Sequence, residues 1–165
     1  MATKKKSKKP AAKSAARKPK KAAPKKAAPK KKAAPAGLAI TDVSPGITAN
    51  DLMKSLSWYT DVVGFTVEER WMKDGVLAGV SLRAGKATFM LGQDDWKKGR
   101  DRQKGAGFRL YCETSQDIDV LAKKIEARGG TLDQQPTDQP WGMRDIGLTD
   151  PDGFKITIAK VTKKR

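Results

Sequence analysis

The chain has no histidine and a single cysteine, Cys112, in 165 residues. Without imidazole it lacks the most common metal ligand and the usual activator of a thiol. One cysteine excludes an intrachain disulfide and suits a reducing cytosol. No apolar run approaches the roughly 20 residues of a membrane span, and the N-terminus lacks the apolar stretch of a secretory signal. Acidic residues are missing from one end: residues 1–36 hold 15 Lys and Arg but no Asp or Glu. Arg17 is the only arginine there, which disfavours an Arg-rich transit peptide. The expected setting is cytoplasmic or nucleoid-associated.

That charge asymmetry divides the chain. The net charge is +17, yet residues 37–165 carry 20 basic against 18 acidic residues and are nearly neutral. The sequence therefore reads as a polybasic tail, 1–36, and a domain, 37–165, of a size that buries one core without staples.

The tail repeats KKAAP at 20–24 and 25–29 and KKKAAP at 30–35. Prolines at 10, 19, 24, 29 and 35 interrupt any helix that Lys and Ala would favour. Lysine self-repulsion extends the segment, so it is expected to be disordered and partly polyproline II, reaching on the order of 110 Å at about 3.1 Å per residue. Lysines such as Lys20, Lys21, Lys25, Lys26, Lys30, Lys31 and Lys32 suit phosphate contacts that release counterions. Without interleaved aromatics, binding to DNA or RNA is expected to be blind to sequence. A solubilising tail with no dedicated partner, or one meeting another anionic surface, is the alternative. In composition the tail resembles the Lys/Ala/Pro tails of linker histones.

The domain repeats a pattern twice. An apolar segment, 38–48, leads to a helix start at Asn50-Asp51, and Leu52, Leu56, Tyr59 and Val63 follow at helical spacing before Gly64. Strand-like runs at 65–71, 76–82 and 87–91 are separated by Asp74-Gly75 and Ala84-Gly85. The second copy has a strand at 107–113, a helix from Ser115–Asp117 to Gly129-Gly130, and runs near 131–135, 143–149 and 154–160. Each copy is βαβββ. One helix covers one face of a four-stranded sheet, so the other face stays open as a concave surface for a ligand.

Candidate groups follow from residue chemistry. Trp71, Trp141, Met90 and Tyr111 offer apolar area, and Arg144 offers a fork for a carboxylate or phosphate. Trp58 and Tyr59 read as core. Asp150 and Asp152, in the turn Asp150-Pro151-Asp152-Gly153, are expected to brace backbone N–H groups. Glu68-Glu69 and Asp94-Asp95 read as solvated surface. Cys112 is expected to be buried and inert, on the same strand face as Phe108. No catalytic acid/base pair is assigned.

These motifs are similar to those of the vicinal oxygen chelate superfamily, which includes glyoxalase I, bleomycin-resistance proteins and extradiol dioxygenases. The matching residues are Asn50-Asp51-Leu52 with Ser55, Trp58-Tyr59-Thr60-Asp61, Gly64-Phe65, Asp117-Ile118-Asp119, Ala127-Arg128-Gly129-Gly130, Trp141-Gly142-Met143-Arg144 and Asp150-Pro151-Asp152-Gly153. The resemblance implies an α+β fold of two βαβββ modules forming an open half-barrel. Enzymes of the superfamily hold a divalent metal with His, Gln or Glu. Alignment places Ser44, Phe108 and Thr157 at those positions, so the resemblance implies a cup without metal or cofactor. It further implies a homodimer that binds a small molecule through Ser44, Trp71, Met90, Phe108, Trp141, Arg144 and Thr157. Two other readings stand beside it: a lyase, isomerase or dioxygenase-type enzyme using other residues, and a dimeric body that serves only to present the tail.

Overall fold

Helix formation in the first module begins where Asp51 turns extended and its side chain accepts the Lys54 N–H at 3.1 Å, satisfying an amide that the first turn leaves free. A computed structural model of the chain describes Leu38 and residues 40–162, and the basic tail with its lysines lies outside the described residues. From that cap runs α1, Leu52–Ser57, which continues as a π-helical segment over Trp58–Val63. Gly64, at φ +101°, closes it in the left-handed region that glycine enters freely. Around it lie β1 (Gly46–Ala49), β2 (Thr66–Lys73), β3 (Val76–Ala84) and β4 (Ala87–Gln93). They form one sheet in the order β1-β4-β3-β2.

The second module repeats the plan with β5 (Arg109–Glu113), α2 (Ile118–Ala127), β6 (Gln134–Asp138), β7 (Met143–Thr149) and β8 (Lys155–Val161), in the order β5-β8-β7-β6. In each sheet the first strand pairs parallel to the last, and the remaining pairs are antiparallel. The fold is thus α+β with two βαβββ modules. The clearest departure from the sequence reading is β6, which lies a few residues later than the run near 131–135. Leu132 packs into the core, and the ladder is irregular between Gln134 and Thr137. Pro136 sits in that gap, and having no N–H it suits an edge strand.

The two helical faces share one core. Ile47, Leu52, Leu56, Tyr59, Val80, Leu82 and Leu91 of the first module join Ile118, Ile125, Ile146, Leu148, Ile156 and Ile158 of the second in a single apolar cluster. Each fully buried Leu or Ile contributes about 1.5–3 kcal/mol. Tyr59 is the largest of the fully buried side chains, with Phe65 and Phe89 at 5.7 and 4.8 Å between ring centres.

Polar bonds fasten the modules as well. Asp150 braces its own turn, its Oδ1 accepting from the amides of Asp152 (2.9 Å) and Phe154 (2.8 Å). Its Oδ2 accepts the Tyr59 hydroxyl at 2.7 Å, from the other module. Asp152 Oδ1 accepts the Asn50 amide at 2.6 Å, and Oδ2 accepts Ser55 Oγ. The last turn therefore holds down the start of the first helix, in addition to bracing amides within its own loop.

Candidate ligand site

Strand alternation decides which side chains reach the open faces. In the first sheet Ile47, Ala49, Val80, Leu82, Phe89 and Leu91 point into the core. The residues between them, including Gly46, Gly79, Ser81, Thr88, Met90 and Gly92, form the other face. There Gly79 stands directly beside Gly92, and Gly46 beside Met90. A Cβ added to Gly79 would fall 2.9 Å from the Trp71 ring, so the indole lies down on bare backbone. A shallow trough of bare backbone is left at Gly46 and Gly92, flanked by Trp71 over Gly79 and by the half-exposed Met90. At its end Ser44 Oγ and Thr88 Oγ1 are hydrogen-bonded at 2.7 Å. Beside it Glu68 pairs with Arg83.

The second sheet turns Arg109, Tyr111 and Glu113 outward, because Leu110 and Cys112 pack against the core. Thr157, paired with Tyr111, is buried on this outward face and accepts Arg109 Nη1 at 2.9 Å. Asp145 is buried nearby, its Oδ1 taking amide bonds from Gln134 (2.6 Å) and Gln139 (2.8 Å).

Three sequence expectations need correction. Arg144 shares its strand face with Ile146 and Leu148, the core side, and there it forks onto Asp119 of α2 at 2.7 and 2.8 Å and reaches Asp138 at 3.2 Å. Its charge is spent on the helix: the Asp119 carboxylate beside it raises the guanidinium's pKa, and the guanidinium lowers that of Asp119. Cys112 faces the core, opposite to the concave face assumed for it, and burial pushes its thiol pKa up. Phe108 precedes β5 and packs edge-on against the buried Phe154 at 5.9 Å, with 40 % of its surface exposed. Arg109 takes the outward position next to it. A fourth correction concerns Asp94, read as solvated: it is buried between Lys104 (2.6 Å) and Arg102 (2.5 Å), which hold its carboxyl well below the usual range.

Of the seven expected contacts, the structure gathers Ser44, Trp71 and Met90 on one sheet. It sets Thr157 on the other and leaves Trp141 exposed at the tip of the β6–β7 hairpin. The residues missed are Arg109 and the glycines of the trough. Alternation of Leu110 and Cys112 with Arg109, Tyr111 and Glu113 was the available signal for the first.

The profile of the Glyoxalase/Bleomycin resistance protein/Dioxygenase superfamily matches residues 39–158. The chain belongs to that superfamily. A search of curated proteins gave no significant match. Among solved structures, TioX from Micromonospora sp. ML1 is similar at 20 % identity, covering 73 % of this chain and 99 % of that one with a TM-score of 0.59. TnmS3, an antibiotic binding protein from Streptomyces sp. CB03234, is similar at 24 % identity, with 76 % and 99 % coverage and a TM-score of 0.60. A glyoxalase/bleomycin resistance protein/dioxygenase from Nocardioides gives 18 %, 79 % and 89 %, and 0.62. At these identities the likeness is one of fold.

Superfamily enzymes use a divalent metal, so the donor set bears testing. Among the described residues no group of three or more His, Cys, Asp or Glu side chains is placed to hold one. Thr157, at the last ligand position, is occupied by a guanidinium from Arg109. A fixed cation at that point opposes a second one, and hydroxyls alone make a poor cage. Among the described residues, those at the ligand positions do not fit a divalent metal.

Proposed function

We propose that this superfamily member binds a small, flat, partly apolar molecule on the concave face of its first sheet and performs no metal chemistry there. The observation that carries the reading is the trough: bare backbone at Gly46 and Gly92, beside Met90 and the Trp71 ring that covers Gly79, offers an open strip on which a flat ring can lie. Trp71 supplies a stacking face, Met90 an adaptable wall, and Ser44 with Thr88 a polar end. TnmS3 shares the fold and binds an antibiotic, which supports the same class of ligand here.

Both outward faces are open in one chain, and a homodimer would cover them, closing the trough against a second copy. The tail adds sequence-blind association with nucleic acid in the cytoplasm. Thermal-shift screening of the full chain against aromatic antibiotics, thiols and small diacids tests the reading, because a ligand bound to the folded state raises Tm by linkage. An aromatic hit should lose its shift in Trp71→Ala. A hit indifferent to that substitution, or a panel of aromatic compounds with none, overturns the proposal.

A further inference from the structure

A separate cleft of about 550 Å³ opens at the rim of the second sheet, where β5 and β8 begin. Its floor is the turn Gly105–Ala106–Gly107, and its walls carry Lys104, Arg109, Lys155 and Phe108. Three features converge. The lining side chains that reach solvent include two cations, Arg109 and Lys155, and no carboxylate. The turn has its Phe108 amide bonded back to Gly105 O at 3.1 Å, with Gly105 and Gly107 at φ +69° and +73°. Among the described residues the Ala106 and Gly107 amides donate to no backbone or side-chain acceptor. Glycine is required at the floor: a Cβ on Gly105 would lie 2.3 Å from Gly153 O.

Lys104 gives the cleft its field. Its side chain is 1 % exposed, its ammonium faces Asp94 at 2.6 Å in an ion pair, and no directed hydrogen bond completes its coordination. Asp94 is shared with Arg102, so one buried carboxylate balances two cations. Excess positive charge is left at the rim, beside Arg109 and Lys155. Free amides in a turn with left-handed glycines, beside the Arg109 and Lys155 cations that pair with no carboxylate among the described residues, form a concavity suited to a tetrahedral anion.

We propose that this cleft is a phosphate-binding site, taking either the free anion or the phosphate of a small ester whose apolar part lies against Phe108. It stands on the second sheet and does not depend on what occupies the trough. Isothermal titration of the full chain with inorganic phosphate and with phenyl phosphate tests it. Arg109→Gln with Lys155→Gln should weaken binding about tenfold or more, as expected for loss of charged hydrogen bonds. Lys104 is left intact because it holds the loop. Ala106→Pro removes one free amide at a turn position that tolerates proline before a left-handed Gly107, so it should fold normally and still bind less phosphate. The tail is identical in every variant and cancels in the comparison. Tighter binding of phenyl phosphate assigns an ester, and equal binding assigns the free anion. If neither binds, or both bind undiminished in the double variant and in Ala106→Pro, the proposal fails.

Discussion

Ser55 Oγ donates to Asp152 Oδ2 at 2.5 Å across 97 residues of sequence. Both groups are buried, and the same carboxylate accepts the Asn50 amide at 2.6 Å. Asp152 therefore satisfies an amide just before α1 from the far end of the chain, as a capping residue would do locally. Asp152→Ala should cost about 1–3 kcal/mol, since it strands a buried hydroxyl and a partly buried amide. Urea unfolding checks this, and a loss below about 0.5 kcal/mol would show the bond to be incidental.

Tyr59→Phe removes the hydroxyl that serves Asp150. Burial already raises the pKa of the Asp150 carboxyl, and the Tyr59 hydrogen bond opposes that rise. Without it the folded-state pKa climbs further. A raised folded pKa gives stability that is present below the unfolded value and lost as pH increases. The variant's deficit should thus grow between about pH 4 and pH 7, reaching about 1–3 kcal/mol. A deficit flat with pH would refute the coupling.

Asp94 titrates in the opposite sense. Its folded pKa is depressed by Lys104 and Arg102, so its stabilisation is present above the unfolded value and lost as pH falls through the folded one. Wild type should exceed Asp94→Asn in stability by a constant margin above about pH 5, and the gap should narrow progressively as pH falls below about 4. Melting temperatures across that range decide it.

Arg144→Met separates a helix-docking role from a ligand contact. The substitution removes the fork to Asp119 and should lower Tm modestly, while the affinity of any trough ligand stays unchanged. A selective loss of affinity with no change in Tm would return Arg144 to the site.

Deleting residues 2–36 should abolish retention on duplex DNA. For the full chain, retention should fall steeply between about 50 and 200 mM salt. Retention by the truncated chain, or indifference to salt, would remove the tail from the function.

The elements were legible because their boundaries are chemical: Asp51 and Asp117 cap helices, Gly64 and Gly129 end them, and Asp74-Gly75 turns a hairpin. The site was less so. The family resemblance pointed to Phe108, but a strand shifted by one residue exchanges its faces, and the outward residue is Arg109. Arg144 was misassigned for the same reason, since its face follows from Ile146 and Leu148 rather than from its own charge. Asp94 lies before an aperiodic loop, and nothing local shows that Arg102 and Lys104 fold back onto it.

The glycines of the trough have a consequence for selectivity. Gly79 admits no side chain while Trp71 lies on it, yet a Cβ on Gly46 or Gly92 would meet its nearest neighbour only at 3.7 or 3.8 Å. Neither residue needs a left-handed backbone. Each is therefore a place where the chain tolerates an added methyl and a bound ring does not. A single alanine at either position would narrow the trough by one carbon, a change worth about 1–3 kcal/mol to a ligand that fills it. Substitution at these two positions would therefore change which ring fits the trough without disturbing the core beneath.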